Sequence, residues 1–173
     1  LIIETKHGIW RGRFDTGHSP SQLSLYDEER KIYLCFDFLL PRISPNISVG
    51  IDDNENNVLD GYLKYLNKIK QMDAKWSVFP GHEYPYTDPS KRAITLIKHH
   101  GDRLDTLIKA ISKKPVCVSE ATEILFGKIK NDHDMFFASC EAKSHLNYLI
   151  NKEKIMMKKQ KNKNAKYYYI IRN

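Results

Sequence analysis

Cysteine is scarce in this chain: Cys35, Cys117 and Cys140 are an odd number with no C-x-x-C spacing. That excludes a disulfide framework. It also argues against a zinc–thiolate centre, because structural zinc takes four closely paired ligands. Two of the three sit in apolar strand-like or helical surroundings and read as buried free thiols of a reducing compartment. The expected location is therefore cytoplasmic, with mitochondria or another organelle left open. No apolar run approaches the roughly 20 residues that span a bilayer, so no membrane partner is expected, and no basic-then-apolar signal segment occurs. A glycine-rich phosphate loop and a serine nucleophile elbow are also missing, which disfavours phosphotransferases and serine hydrolases. There is no internal repeat, and only Lys158 to Lys166 approaches low complexity.

Acidic residues are few in one place only. Of the 28 Lys and Arg and 21 Asp and Glu, residues 151–173 hold eight basic and one acidic. They carry the whole net charge of +7 and leave the first 150 residues neutral. The basic pI thus belongs to a tail and does not make the whole chain a nucleic-acid binder. With 173 residues, 41% hydrophobic and 28% charged, a packed core in one domain or two small ones is expected. The chain begins at Leu1, inside what reads as a strand (Leu1 to Glu4), and is expected to be a fragment.

The chemistry gathers between Asp15 and His82. Gly17-His18-Ser19-Pro20 sets an imidazole on a turn, and Leu23 and Leu25 alternate after it. The polar turn Asp27 to Arg30 leads into the apolar run Ile32 to Phe36, which delivers Asp37. This predicts a hairpin with a histidine and a carboxylate near one sheet edge. Polar Asp52 to Asn57 then caps a helix whose apolar face is Leu59, Tyr62, Leu63, Leu66 and Ile69. Lys75 to Phe79 returns as a strand, and Pro80-Gly81 places His82 at its end. Loops at strand ends are common sites for metal ligands.

His18, Asp37 and His82, each at the mouth of a turn and in this order, resemble the third to fifth metal motifs of the metallo-β-lactamase superfamily. The likeness extends through Leu39 to Ser48 and His99-His100, nearest to the branch around β-lactamase-like protein 2. It implies an α/β fold: the C-terminal half of a metallo-β-lactamase αββα sandwich (residues 1–88), followed by a winged helix-turn-helix domain (89–173). It further implies a metal-dependent hydrolase of esters, thioesters or RNA phosphodiesters. His18 would bind one zinc ion, His82 a second, and Asp37 would bridge them, with iron or manganese as alternatives. Metal-bound water ionises near pH ~7, which supplies the nucleophile for such chemistry. The family's His-x-His-x-Asp-His motif does not occur here, and Phe36 and Phe38 flank Asp37 where relatives have Gly and often His. The chain by itself is therefore expected to be inactive, its partner being the N-terminal half of the hydrolase domain.

The second half is expected to be helical. Pro85 to Pro89 marks a boundary, and Ile94, Ile97, Gly101, Leu104, Ile108 and Ile111 form a helical stripe. Gly101 there predicts close packing or a bend. Ser119 is the expected cap of a short helix that Gly127 ends, and Asp132 or Asp134 starts a third with the stripe Met135, Ala138, Ala142, Leu146 and Leu149. The other face of that helix, Glu141, Lys143, Ser144 and Asn147, is expected to be exposed. His100 falls on an apolar stripe and reads as packing, while His133 and His145 suggest no chemistry. Ile155 to Met157 and Tyr167 to Ile171 form a terminal hairpin, a wing whose Lys158, Lys159, Lys161 and Lys163 could touch single-stranded RNA. The alternative to an enzyme is a nucleic-acid-binding or scaffold module with a degenerate metal site.

Overall fold

The computed structural model describes residues 1–159 and 167–172 and divides into two compact units. The first comprises Leu1–Asn46 and Asp60–Lys98; the second comprises Ile47–Leu59 and His99–Asn173. The expected boundary at Asp88 does not coincide with this division. A helix starts at Pro89 and its first turns belong to the first unit, where Ala93 and Leu96 are buried and Arg92 donates to the carbonyls of Leu40 and Ile43.

In the first unit one sheet takes its strands in chain order: β1 (Ile2–Thr5), β2 (Gly8–Asp15), β3 (Gln22–Asp27), β4 (Ile32–Phe36), β5 (Ser77–Pro80) and β6 (Tyr86–Thr87). All neighbours are antiparallel except β4 and β5. That parallel pair is joined through α1 (Val58–Ile69), since parallel strands need a crossover. The expected hairpin is β3–β4, with Tyr26 opposite Tyr33. Tyr65 replaces Leu63 on the buried face of α1, and its hydroxyl lies 3.0 Å from that of Tyr33. Phe38 packs edge-on against Tyr62 and Tyr65. The proline-rich stretch after His82, read from sequence as a link, contributes the edge strand β6, a position that tolerates proline nearby.

The second unit holds most of α2 (Pro89–Ile111), then α3 (Val118–Phe126), α4 (Asp132–Asn151) and the hairpin β7 (Ile155–Lys159) and β8 (Tyr167–Ile171). Leu107, Ile111, Ala142, Leu146, Leu149, Ile155 and Tyr169 form its core. The buried positions of α2 are Ala93, Leu96, His100 and Leu107, each one residue off the expected stripe, and Ile111, which is on it; Ile94 is 51% exposed. α2 is unbroken at Gly101, and a Cβ there would meet nothing within 4 Å, so neither a bend nor close packing accounts for it. Cys117, not Ser119, precedes α3, because Glu120 reaches back to its backbone N–H at 2.9 Å. Asn131 caps α4, accepting from the backbone N–H of Asp134 at 2.8 Å.

The expected exposed face of α4 is buried. Lys143, Ser144 and Asn147 are at most 1% exposed and Glu141 is 8% exposed. Within the same unit Ser144 donates to Ile47 O at 2.5 Å, Asn147 donates to Asp53 O and Asn56 O, and Lys143 donates to Asn54 and to the Tyr169 hydroxyl. Residues 47–59 thus take the side of α4 that polarity had assigned to solvent. No helix among the described residues is long and apolar enough to cross a membrane.

Candidate metal centre

Three turns carry the sequence-expected site residues to one place in the first unit. β4 pairs with β5 in register until an irregularity between Leu34 and Phe36, and the chain then turns sharply, Phe36 taking a φ of 49°. Bulges re-aim the side chains that follow them. Here the residue that follows is Asp37. A left-handed φ at a phenylalanine costs about 1–2 kcal/mol, a strain that a glycine would not incur. Phe36 is 42% exposed, while Phe38 is buried with its ring edge-on to His18 at 6.4 Å.

His18 Nε2 lies 3.9 Å from Asp37 Oδ2, and His82 Nε2 lies 3.3 Å from Asp37 Oδ1. The first imidazole is oriented by the backbone: its Nδ1 sits 2.9 Å from Asn46 O. A carbonyl only accepts, so Nδ1 donates, and in the neutral ring the lone pair is left on Nε2, facing Asp37. Second partners of this kind fix the tautomer of metal-binding histidines. Asp37 Oδ1 is buried without a hydrogen-bond partner, since the His82 approach lacks hydrogen-bond geometry. Orphaned buried carboxylate oxygens are costly, and a cation is one of the few occupants that relieve them. Gly81 is required for this approach, because a Cβ there would overlap Asp37 Oδ1. Two imidazoles and a carboxylate are a donor set suited to zinc, iron or manganese. The residues present therefore fit a metal.

Of the wing lysines, Lys158 and Lys159 are exposed on β7, and Lys161 and Lys163 lie outside the described residues. Sequence reasoning missed a buried group in the second unit, where His100, Glu141 and His145 each bring a ligand-type atom within 4.8 Å of the others. The spacing Glu141 to His145 put two of them on one helix face, but nothing in the sequence tied His100 to them.

Residues 104–169 match a family model described as Metallo-beta-lactamase-like, C-terminal domain. A β-lactamase domain protein from Burkholderia ambifaria superposes with a TM-score of 0.92 at 29% identity, over 99% of this chain and 50% of its own. A metallo-beta-lactamase family protein from Thermus thermophilus gives 0.82 at 26% identity, over 99% and 52%. No match was found among curated proteins. The mixed α/β fold is thus that of metallo-β-lactamase-fold proteins, and the chain spans about half the length of the structures it matches.

Proposed function

We propose that the chain is the C-terminal half of a metal-dependent hydrolase of the metallo-β-lactamase superfamily, in the branch around β-lactamase-like protein 2, and that residues 89–173 act as its winged helix. The observation that carries this is the Asp37 carboxylate, its Oδ1 buried and unpartnered, set between the Nε2 atoms of His18 and His82. His18 would hold one ion, His82 a second, and Asp37 would bridge them, zinc being the ion these donors suit best. When bound, such ions activate water at neutral pH and polarise the scissile ester, thioester or phosphodiester oxygen.

The chain's own contribution is positioning. Asn46 O holds the His18 ring, the β4 irregularity aims Asp37, and Phe38 walls off one side of His18 from water. Three donors cannot complete two centres, so the remaining ligands come from the N-terminal half of the domain. Ile2, Ile9 and Phe14, each more than half exposed on β1 and β2, suit a sheet that this half would cover. RNA enters this reading as a substrate that Lys158 and Lys159 would steer. Nucleic-acid readout by α4 is not favoured, because the polar face it would offer is buried. Three buried free thiols fit a reducing compartment such as the cytoplasm.

Calorimetric zinc titration tests the reading. This chain alone should bind weakly at these residues. The protein completed by its N-terminal half should take up two ions there and hydrolyse a thioester, an aryl ester or a single-stranded RNA. His18→Ala or Asp37→Ala should then lose metal and turnover together. Turnover that survives Asp37→Ala would overturn the assignment.

A further inference from the structure

Inside the second unit α2 and α4 meet across a polar group that the hydrolase reading does not use. His100 and His145 are fully buried and Glu141 is 8% exposed, on the two helices that also give Leu107, Ala142 and Leu146 to the apolar core. His100 Nδ1 lies 3.1 Å from His145 Nε2, and the two ring centroids are 5.2 Å apart. His145 Nδ1 lies 2.8 Å from the carbonyl of Glu141, one turn back on its own helix. That carbonyl only accepts, so Nδ1 carries the proton and, in a neutral ring, Nε2 carries the lone pair. The Nε2 atom faces His100, not solvent. Across from it the Glu141 carboxylate is held by the Arg103 guanidinium.

We propose that His100, Glu141 and His145 form a second site for a divalent transition metal, zinc by preference, independent of the residues around Asp37. One ligand atom from each residue falls within 4.8 Å of the other two. Ligand atoms about 2.0–2.1 Å from a tetrahedral zinc ion stand roughly 3.3 Å apart, so the two imidazole nitrogens already have nearly the required separation. The backbone carbonyl behind His145 and the guanidinium behind Glu141 are outer partners of the kind that orient metal ligands. To accept the ion His100 moves its Nδ1 proton to its other ring nitrogen, which changes no net charge. Two imidazoles with one carboxylate select zinc, cobalt, nickel or copper over magnesium or calcium. A buried ion pair and two buried imidazoles are weak stabilisers by themselves, which leaves simple packing a poor account of them.

Cobalt is the probe. The 173-residue chain carrying His18→Ala and His82→Ala, which removes the other candidate donors, is titrated with Co(II) and followed by visible absorption and thermal melting. The expected result is one equivalent of ligand-field absorption, displaced by zinc, with a raised melting temperature. In that background His100→Gln and His145→Gln should each weaken binding by at least about tenfold, the lower end of what losing even an outer-shell partner costs. Circular dichroism checks that each variant is folded. Should both histidine variants unfold, Glu141→Gln, which keeps an acceptor for Arg103, should show the same loss. No absorption at one equivalent, or absorption that every folded variant retains, would overturn the proposal.

Discussion

Asp27 shows how one carboxylate can tie a turn. Its Oδ1 accepts the backbone N–H of Arg30 at 2.8 Å and its Oδ2 accepts Arg30 Nε at 2.9 Å, closing the turn between β3 and β4. The Arg30 backbone N–H, and then the Arg30 side chain, hold the Asp27 carboxyl below its usual range. A carboxylate whose folded value is depressed adds stability above its unfolded value near ~3.9, and that stability is lost as pH falls through the lower folded value. Urea melts of the wild type and of Asp27→Asn should therefore differ by a constant amount between about pH 7 and 5 and begin to converge below about pH 4. A gap undiminished at about pH 3 would remove Asp27 from the account. Gly81 makes a separate prediction. Its backbone is not in the left-handed region, so Gly81→Ala should cost less than about 1 kcal/mol of stability. In the completed protein the same change should weaken metal binding by tenfold or more, because the new Cβ displaces Asp37 Oδ1. Calorimetry on the folded variant decides between a displaced ligand and an indifferent glycine.

At the level of elements, Gly101 is the simplest case. It sits in unbroken α2 with open space where a Cβ would go, so Gly101→Ala should stabilise the chain by about 0.5–1 kcal/mol in a denaturant melt. A destabilised variant would show that the glycine serves a contact. Much of this layer was legible from sequence. The β3–β4 hairpin, α1 and its crossover to β5, the Gly127 stop and the α4 stripe Ala138, Ala142, Leu146 and Leu149 all follow from period, capping and turn chemistry, whereas Met135, expected on that stripe, is 40% exposed. The candidate residues were chosen for a different reason: His18, Asp37 and His82 each sit where a strand ends, and their order carried the resemblance. What stayed hidden were the partners of polar groups. Glu141, Lys143, Ser144 and Asn147 look like a solvated face because residue type reports average exposure. Their actual exposure is set by residues 47–59, some ninety positions away for the Asn147–Asp53 and Asn147–Asn56 bonds. The one-residue shift on α2 has a similar origin. Buried His100 takes the inner face where the expected stripe had Gly101, because its contact is with another imidazole, which an apolar count does not register.

For the whole molecule, the division into units governs what can fold apart from the rest. A piece starting at Pro89 keeps every helix and strand of the second half but loses Ile47–Leu59. Ser144, Asn147 and Lys143 would then lose the acceptors Ile47 O, Asp53 O, Asn56 O and Asn54 Oδ1. Each lost bond costs about 0.5–1.5 kcal/mol net, with water taking the acceptor's place on the uncovered face, and together they are a large share of what so small a domain can spare. Residues 89–173 alone should accordingly show helical circular dichroism without a cooperative thermal transition, and a synthetic peptide of residues 47–59 should restore one. A sharp melt without the peptide would mean that the inserted segment is dispensable. The insertion also bears on how such a protein can change over evolutionary time. A unit whose chain is continuous can be moved to another gene by a single recombination event at either end. Here a thirteen-residue loop of one unit is threaded through the coding region of the other. Any exchange near codon 89 would split the second unit from its own wall. The two halves are therefore bound to be inherited together, and substitutions in α4 must be matched by substitutions in a stretch encoded well upstream.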